Sequence, residues 1–338
     1  MKHQHVLNCS FSSWYPNFKR DTFKSRIIQL PVEFINYLNA DRIVLPGVEE
    51  TSYSNDLNDY SDEEDCNELD DQEGWDSAEV LTAPSFTDLK QEVDAAIKEL
   101  GGAVMPKLNW SAPRDAGWIT RDGTLCCHSF NDVCLLLKSS DFVSHDLNEA
   151  YEHCEDDTMK HSDEQFELIL RKWEEILPGM EFRCFVKSNV LVGISQRQSS
   201  SFYKYLLDDQ AHIFESIVEF FDTKVKDKFA DKNFVVDVYR YNNDTLKIVD
   251  FNPFGQVTDS LLFSWKELID MDEQDFDDSC ESMFRVVTDE NGIQPSPYLS
   301  YGLPTDALSI ASGGEINKII EFFQDNDLLS KTGEFEKS

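Results

Sequence analysis

The residues best placed to do chemistry lie in one stretch, Phe234–Gly255 (FVVDVYRYNNDTLKIVDFNPFG). Two apolar runs, Phe234–Arg240 and Leu246–Phe251, flank a polar segment at Asn242–Thr245, the pattern of a β-hairpin. Asn243 and Asp244 both tolerate a positive φ and suit a two-residue type I′ turn. With that turn Asn242 pairs with Thr245, and counting back along both strands brings Asp237 opposite Asp250. Their side chains then share one face, with Cβ atoms about 4.5–5.5 Å apart, and Asn252, two residues further on, points the same way. Carboxylates placed so repel one another, and Val235, Val236, Val238, Ile248, Val249 and Phe251 make the surroundings poor in water. A divalent cation relieves the repulsion. Two carboxylates and an amide carbonyl suit Mg²⁺, which completes its shell with water and phosphate oxygens. The competing reading is a pair of solvent-facing acids in an offset register.

Phosphate binding needs cations, and the chain has few: 30 Lys and Arg against 65 Asp and Glu in 338 residues, a net charge of −35 and a pI near 4.3. Lys107 ends a short strand, Val104-Met105-Pro106-Lys107, where an ammonium either meets phosphate oxygens as a point charge or faces water. Arg171-Lys172-Trp173 ends another; Trp173 offers a flat apolar face and the peptide groups an edge for adenine, unless the Trp is structural and the cations snorkel past it. Arg183 alternates with apolar neighbours in Glu181–Phe185, so an inward-pointing Arg183 needs an anion, phosphate or acidic side chain alike. The loop Ser111-Ala112-Pro113-Arg114-Asp115 follows the Lys107 strand and either closes over a nucleotide or is a plain turn. Neither a G-x-x-x-x-G-K-[ST] nor a G-x-G-x-x-G run is present, so phosphate is not held by a P-loop or a Rossmann turn.

The strands that must position these groups read as short apolar runs: Ala103–Lys107, Glu167–Trp173, Glu181–Val186 and Val190–Ser195 around Lys187-Ser188-Asn189, and the hairpin above. Ser85-x-x-Asp88 has the form of a capping box, and Leu89, Val93, Ala96, Ile97 and Leu100 follow at helical spacing up to Gly101. A second helix is expected from Asp208 to about Phe229, with Ile213, Ile217, Phe220 and Phe221 on its buried face. Helices mixed with hairpins indicate an α+β fold with antiparallel sheets.

Excess acid repels phosphate backbones and anionic lipid, which speaks against direct nucleic-acid or membrane binding and favours a basic protein partner or mere solubility. No Lys or Arg occurs from Ile43 to Leu89, and Ser54–Glu79 is dense in acid, a composition that cannot offset ordering entropy and reads as a disordered insert over about 50–79. A second acidic loop covers Asp270–Glu281, and the tail 324–338 reads as mobile. Eight scattered cysteines without a C-x-x-C pair indicate reduced thiols. No signal-peptide pattern or membrane span is apparent, so the cytoplasm is the expected compartment.

His5–Tyr15 (HVLNCSFSSWY), Pro106–Asp115 (PKLNWSAPRD), Leu170–Trp173 (LRKW), Glu181–Val186 (EFRCFV), Gly193–Arg197 (GISQR), Val249–Asp259 (VDFNPFGQVTD) and Gln294–Tyr301 (QPSPYLSY) together resemble the eukaryotic cell division cycle protein 123 family over nearly the whole chain. The resemblance implies an ATP-grasp fold of two lobes, 1–160 and 161–323, with ATP and Mg²⁺ between them. It implies that Lys107 and Arg183 face phosphates, that Asn109, Ala112 and Asp115 belong to the nucleotide site, that Arg171, Lys172 and Trp173 line the adenine end, and that Asp237, Asp250 and Asn252 hold the metal. It further implies an assembly chaperone that binds the gamma subunit of eukaryotic translation initiation factor 2, expected to be a monomer on its own. A carboxylate–amine ligase is the alternative, although no acceptor site or general base stands out beyond the ATP residues.

Overall fold

The computed structural model describes residues 1–40, 45–46, 85–156, 165–241, 245–270, 280–289 and 292–293. The acidic stretch 54–79, most of the second acidic loop, residues 294–301 and the tail 324–338 lie outside the described residues.

The chain opens with α1 (His3–Cys9), α2 (Phe11–Phe18), β1 (Ser25–Gln29) and α3 (Val32–Asn39). It continues through α4 (Thr87–Glu99), β2 (Val104–Lys107), a 3-10 turn (Arg114–Ile119), α5 (Phe130–Lys138), α6 (Asp141–Asn148) and β3 (Glu167–Lys172). Then come β4 (Glu181–Lys187), β5 (Val190–Gln196), α7 (Lys204–Asp208), α8 (Gln210–Phe220), β6 (Phe234–Arg240) and β7 (Leu246–Pro253). The last described elements are α9 (Trp265–Asp270), α10 (Cys280–Met283) and β8 (Phe284–Arg285). Two sheets result, β1-β3-β2 and β7-β6-β4-β5-β8. Every pairing is antiparallel except β5 with β8, which is parallel. The expected α+β class holds.

β3 explains how the two sheets join. Leu168 and Leu170 enter one core with Val93, Ile97, Val104 and Phe130. Ile169, on the opposite face, enters a second core with Phe11, Trp14, Phe182 and Phe251. A strand buried on both faces shows an apolar run rather than alternation. β3 therefore belongs with β1 and β2 in the first sheet. The N-terminal α1–α2 pair packs on the second, with the Trp14 and Phe18 rings 5.2 and 5.1 Å from Phe251. A cut near residue 160 does not divide the chain between its two sheets.

α4 buries Leu89, Val93, Ala96 and Ile97 as its spacing predicts, but it starts at Thr87 without a side-chain cap. The box expected at Ser85 is not formed, since Ser85 Oγ lies 3.1 Å from Thr87 Oγ1 instead. A reciprocal capping box closes at Ser129 and Asp132, opening α5. The helix expected from Asp208 is α8 followed by a π turn (Phe221–Val225); Ile213, Ile217 and Phe221 are buried and Phe220 is half-buried. The β4–β5 turn is tighter than expected: Lys187 pairs with Val190, and Ser188 and Asn189 adopt φ of 52° and 62°.

The β6–β7 hairpin brings Asp237 opposite Asp250, as predicted, by a different route. Near the turn Tyr241 N–H donates to Thr245 O at 2.8 Å, and Arg240 pairs with Leu246, one step off the expected register. The pairing then shifts between Asp237 and Val238, with Val249 as the extra residue of a β-bulge, and Asp237 meets Asp250 while Val235 meets Asn252. The turn residues 242–244 lie outside the described residues.

Candidate functional site

Lys107, Ala112, Arg114, Arg171, Arg183, Arg197, Asp237, Asp250 and Asn252 wall a single cleft between the two sheets. Five of these are cations and two are carboxylates, in a chain that is otherwise overwhelmingly acidic. Strand periodicity puts them there. Lys107 and Met105 alternate out of β2 into the cleft while Val104 fills the core. Arg171 follows Ile169 on the face of β3 turned toward the second sheet. On β7, Asp250 and Asn252 face the cleft and Phe251 points away into the aromatic cluster, stacked 4.3 Å from Phe229.

The carboxylates do face one another, but the chain neutralises each itself. Arg183 clamps Asp237 with two bonds, Nε to Oδ1 at 2.7 Å and Nη2 to Oδ2 at 2.8 Å, and gives Nη1 to Asp259 O at 2.8 Å. Lys107 Nζ donates to Asp250 Oδ2. The expectation that these acids stay in conflict until a metal arrives is corrected accordingly: guanidinium and ammonium from distant strands supply the counter-charge. Burial works to raise the Asp237 carboxyl, yet Arg183, supported by Arg197 and Arg114, holds it below the usual carboxylate range. Arg183 is itself held above its ordinary value, Asp237 outweighing the cost of burial. Burial pushes Lys107 and Arg171 down, offset in part by Asp250.

Lys107 is fully buried, which sets aside the reading of an exposed strand-end lysine. Its Nζ lies 5.5 Å from the Phe11 ring centre, and the Arg171 guanidinium 5.6 Å from the same ring. Arg171 donates Nη2 to Val249 O at 2.7 Å, while its buried Nε has no hydrogen-bond partner. Asn252 Nδ2 is likewise buried and unpaired.

Four expected site residues do not line the cleft. Lys172 is exposed at the end of β3, on the alternate side from Arg171, and Trp173 is only half-buried beyond it. Asn109 is turned to the backbone before β3: Nδ2 donates to Gln165 O at 3.2 Å and Oδ1 accepts from Glu167 N at 2.8 Å. Asp115 accepts from Ser140 Oγ and Asp141 N, both at 2.6 Å, and so caps α6. The Ser111–Asp115 loop is accordingly anchored at both ends. Buried Asp146 of α6 accepts from Ser111 N and Ser111 Oγ at 2.7 Å each and from Trp110 N at 3.3 Å. Burial pushes that carboxyl up to about 6, against the lowering effect of Ser111.

Arg197 and Arg114 were not singled out by the sequence. Arg114 Nη2 donates to Glu181 Oε1 at 3.0 Å, joining the loop to β4 across the cleft. Arg197 follows the last residue of β5, outside any alternating run, so periodicity gives it no direction. The cleft holds about 160 Å³ and adjoins a second cavity of about 190 Å³ through the shared walls Trp110, Ser111 and Asn252. The described cysteines Cys9, Cys126, Cys127, Cys134, Cys154 and Cys184 are free thiols. Among the described residues no helix is long and apolar enough to cross a membrane.

Fold and site define an α+β protein with a buried, cation-walled cleft between two largely antiparallel sheets. The chain belongs to the D123 family, whose model matches residues 14–311. It is 43% identical over 335 residues to the translation initiation factor eIF2 assembly protein of Xenopus laevis, covering 96% of this chain and 97% of that one. The protein of the same name from Danio rerio is 43% identical over 332 residues, covering 96% and 94%. The solved structure of Cdc123 from Schizosaccharomyces pombe aligns with a TM-score of 0.65 and 38% identity over 80% of this chain and 94% of that chain.

Proposed function

We propose that this chain is an assembly protein for translation initiation factor 2 that binds ATP with Mg²⁺ in the cation-walled cleft and holds the factor's gamma subunit. The partner is carried by the relatives' name and the family resemblance. The nucleotide is carried by one observation: five cations line the cleft against two carboxylates, and buried donors on Arg171 and Asn252 stand without partners. Excess buried positive charge is costly unless an anion meets it. A triphosphate supplies that anion in the form guanidinium and ammonium groups bind best.

The donor set suits a metal at two of its three positions. Asp250 and Asn252 would hold Mg²⁺, which when bound neutralises phosphate charge. Each oxygen of both carboxylates already accepts a bond, on Asp250 from Lys107 and Phe251 N and on Asp237 from Arg183; Asp237, at 5% exposure against 19%, would join only if its clamp loosens. The ATP-grasp arrangement, with nucleotide between two sheets, accords with this placement.

Calorimetric titration of the full chain with ATP, with and without magnesium, tests the reading, with Asp250→Asn as the comparison. Binding that needs magnesium and weakens at least tenfold in Asp250→Asn is expected; ATP-indifferent protein would sink it. Recovery of the gamma subunit in a pull-down should rise with Mg–ATP. Intact ATP in the complex fits a binding role, whereas steady ADP release would turn the reading toward a ligase.

A further inference from the structure

We propose that Arg197, rather than Arg183, is the guanidinium through which the five-stranded sheet meets the ligand's phosphates, and that Arg183 is a positioning residue that fixes Asp237. The inference rests on the nucleotide reading of the cleft and reassigns the role within it.

Every nitrogen of Arg183 is already engaged within the protein, with one N–H left over on each Nη. Nε and Nη2 are spent on Asp237 and Nη1 on Asp259 O, and the side chain is only 4% exposed. With its plane fixed by a buried bidentate pair, Arg183 cannot turn toward a phosphate without disturbing Asp237. Arg197 differs on each count. Its side chain is 17% exposed, and it opens onto the cleft. Nε lies 3.5 Å from Asp237 Oδ2 and 4.0 Å from Glu181 Oε1, and it has no hydrogen-bond partner. Both acids are already claimed, Asp237 by Arg183 and Glu181 by Arg114. Three guanidiniums thus share two carboxylates, and Arg197 is the one left over.

The surplus charge is held firmly in place. Arg197 N–H donates to Glu181 O at 3.0 Å, which fixes its backbone against the start of β4. Burial and then the neighbouring Arg183 charge both work against its protonated form. An oxyanion offering two acceptors would satisfy the orphaned donor and relieve the repulsion between the two guanidiniums. A planar guanidinium already on the cleft wall loses little freedom on binding.

The test uses full-length protein, calorimetry with ATP and with inorganic tripolyphosphate, and thermal unfolding without ligand. Arg197→Gln is expected to weaken both ligands tenfold or more while the ligand-free melting temperature holds or rises. Arg197→Lys should recover part of the affinity. Arg183→Gln should lower the ligand-free melting temperature, because Asp237 is left buried without its partner. Wild-type affinity in Arg197→Gln would overturn the assignment. So would a Arg183→Lys protein that melts like wild type yet loses tripolyphosphate. If wild-type protein binds neither probe, the nucleotide reading itself falls, and this one with it.

Discussion

At Asp237 the same carboxylate that the hairpin pattern marks as a metal ligand is one half of a buried ion pair. The two roles predict different behaviour on mutation. Removing one partner of a buried pair strands the other charge and costs about 3–5 kcal/mol. Asp237→Ala should therefore lose about that much stability in urea unfolding, measured without any ligand. Loss of ATP binding in that variant would say little about coordination. Asp250, 19% exposed with Oδ1 also accepting from Phe251 N at 3.1 Å, is probed by Asp250→Asn, which keeps an acceptor for the buried Lys107. The pH dependence of the pair has a definite sign. Asp237 titrates below its ordinary value in the folded chain, so its contribution is present above that value and is lost as pH falls through the lowered one. Arg183→Gln should flatten the acid limb of the unfolding curve, because the gap between the folded and ordinary Asp237 values closes. Register and strand alternation made Asp237, Asp250 and Asn252 legible as sharing one face, whereas Lys107 and Arg171 entered the expected site through the family resemblance. The sequence could not show that Arg183 would take Asp237, since the two are 54 residues apart and pair only through the adjacency of β4 and β6.

The element that most changes character between sequence and structure is the loop Ser111–Asp115. As a sequence it reads as a lid or a turn. In the fold it is a strut, tied to α6 by Asp115 at that helix's start and by Asp146 further along. Asp146 makes the strut sensitive to pH. Burial raises its carboxyl to about 6 in the folded chain, so between the ordinary carboxylate value and about 6 the folded state binds more protons than the unfolded state. Stability from this group falls as pH rises through that window. Asp146→Asn keeps an acceptor for Ser111 and removes the titration. The variant's unfolding free energy relative to wild type should rise by about 1 kcal/mol between pH 5 and pH 7; a difference that stays flat would remove Asp146 as the titrating group. The strands were legible because apolar runs with turn residues at their ends admit few alternatives. The hairpin register was legible only in part. The turn is one step off the expected pairing and the Val249 bulge restores the opposition, a compensation that no count along the chain reveals. Asp115, Asn109 and Trp173 do not line the cleft for a related reason: a match to a family string carries a residue's identity, while the direction of its side chain depends on contacts from remote elements.

Over the whole molecule, two charge scales oppose each other. A net charge of −35 repels a polyanionic ligand from afar, whereas the five cations of the cleft attract it at contact. Salt separates the two, because screening acts over a Debye length of about 30 Å at 0.01 M and about 8 Å at 0.15 M. Long-range repulsion shrinks as salt rises, so association of ATP should accelerate over that range, the reverse of the behaviour of steered, oppositely charged partners. Dissociation should also accelerate, as direct contacts to Lys107 and the arginines weaken. Stopped-flow fluorescence from Trp110, on the wall shared by the cleft and its neighbouring cavity, follows both phases. An association rate that falls with salt would mean that the cleft's own field reaches past the acidic surface and governs the approach. Arg197→Gln sharpens the distinction. Removing one cation barely alters the total charge, so the salt slope of association should stay as in wild type, while dissociation quickens because a contact made only in the bound state is gone.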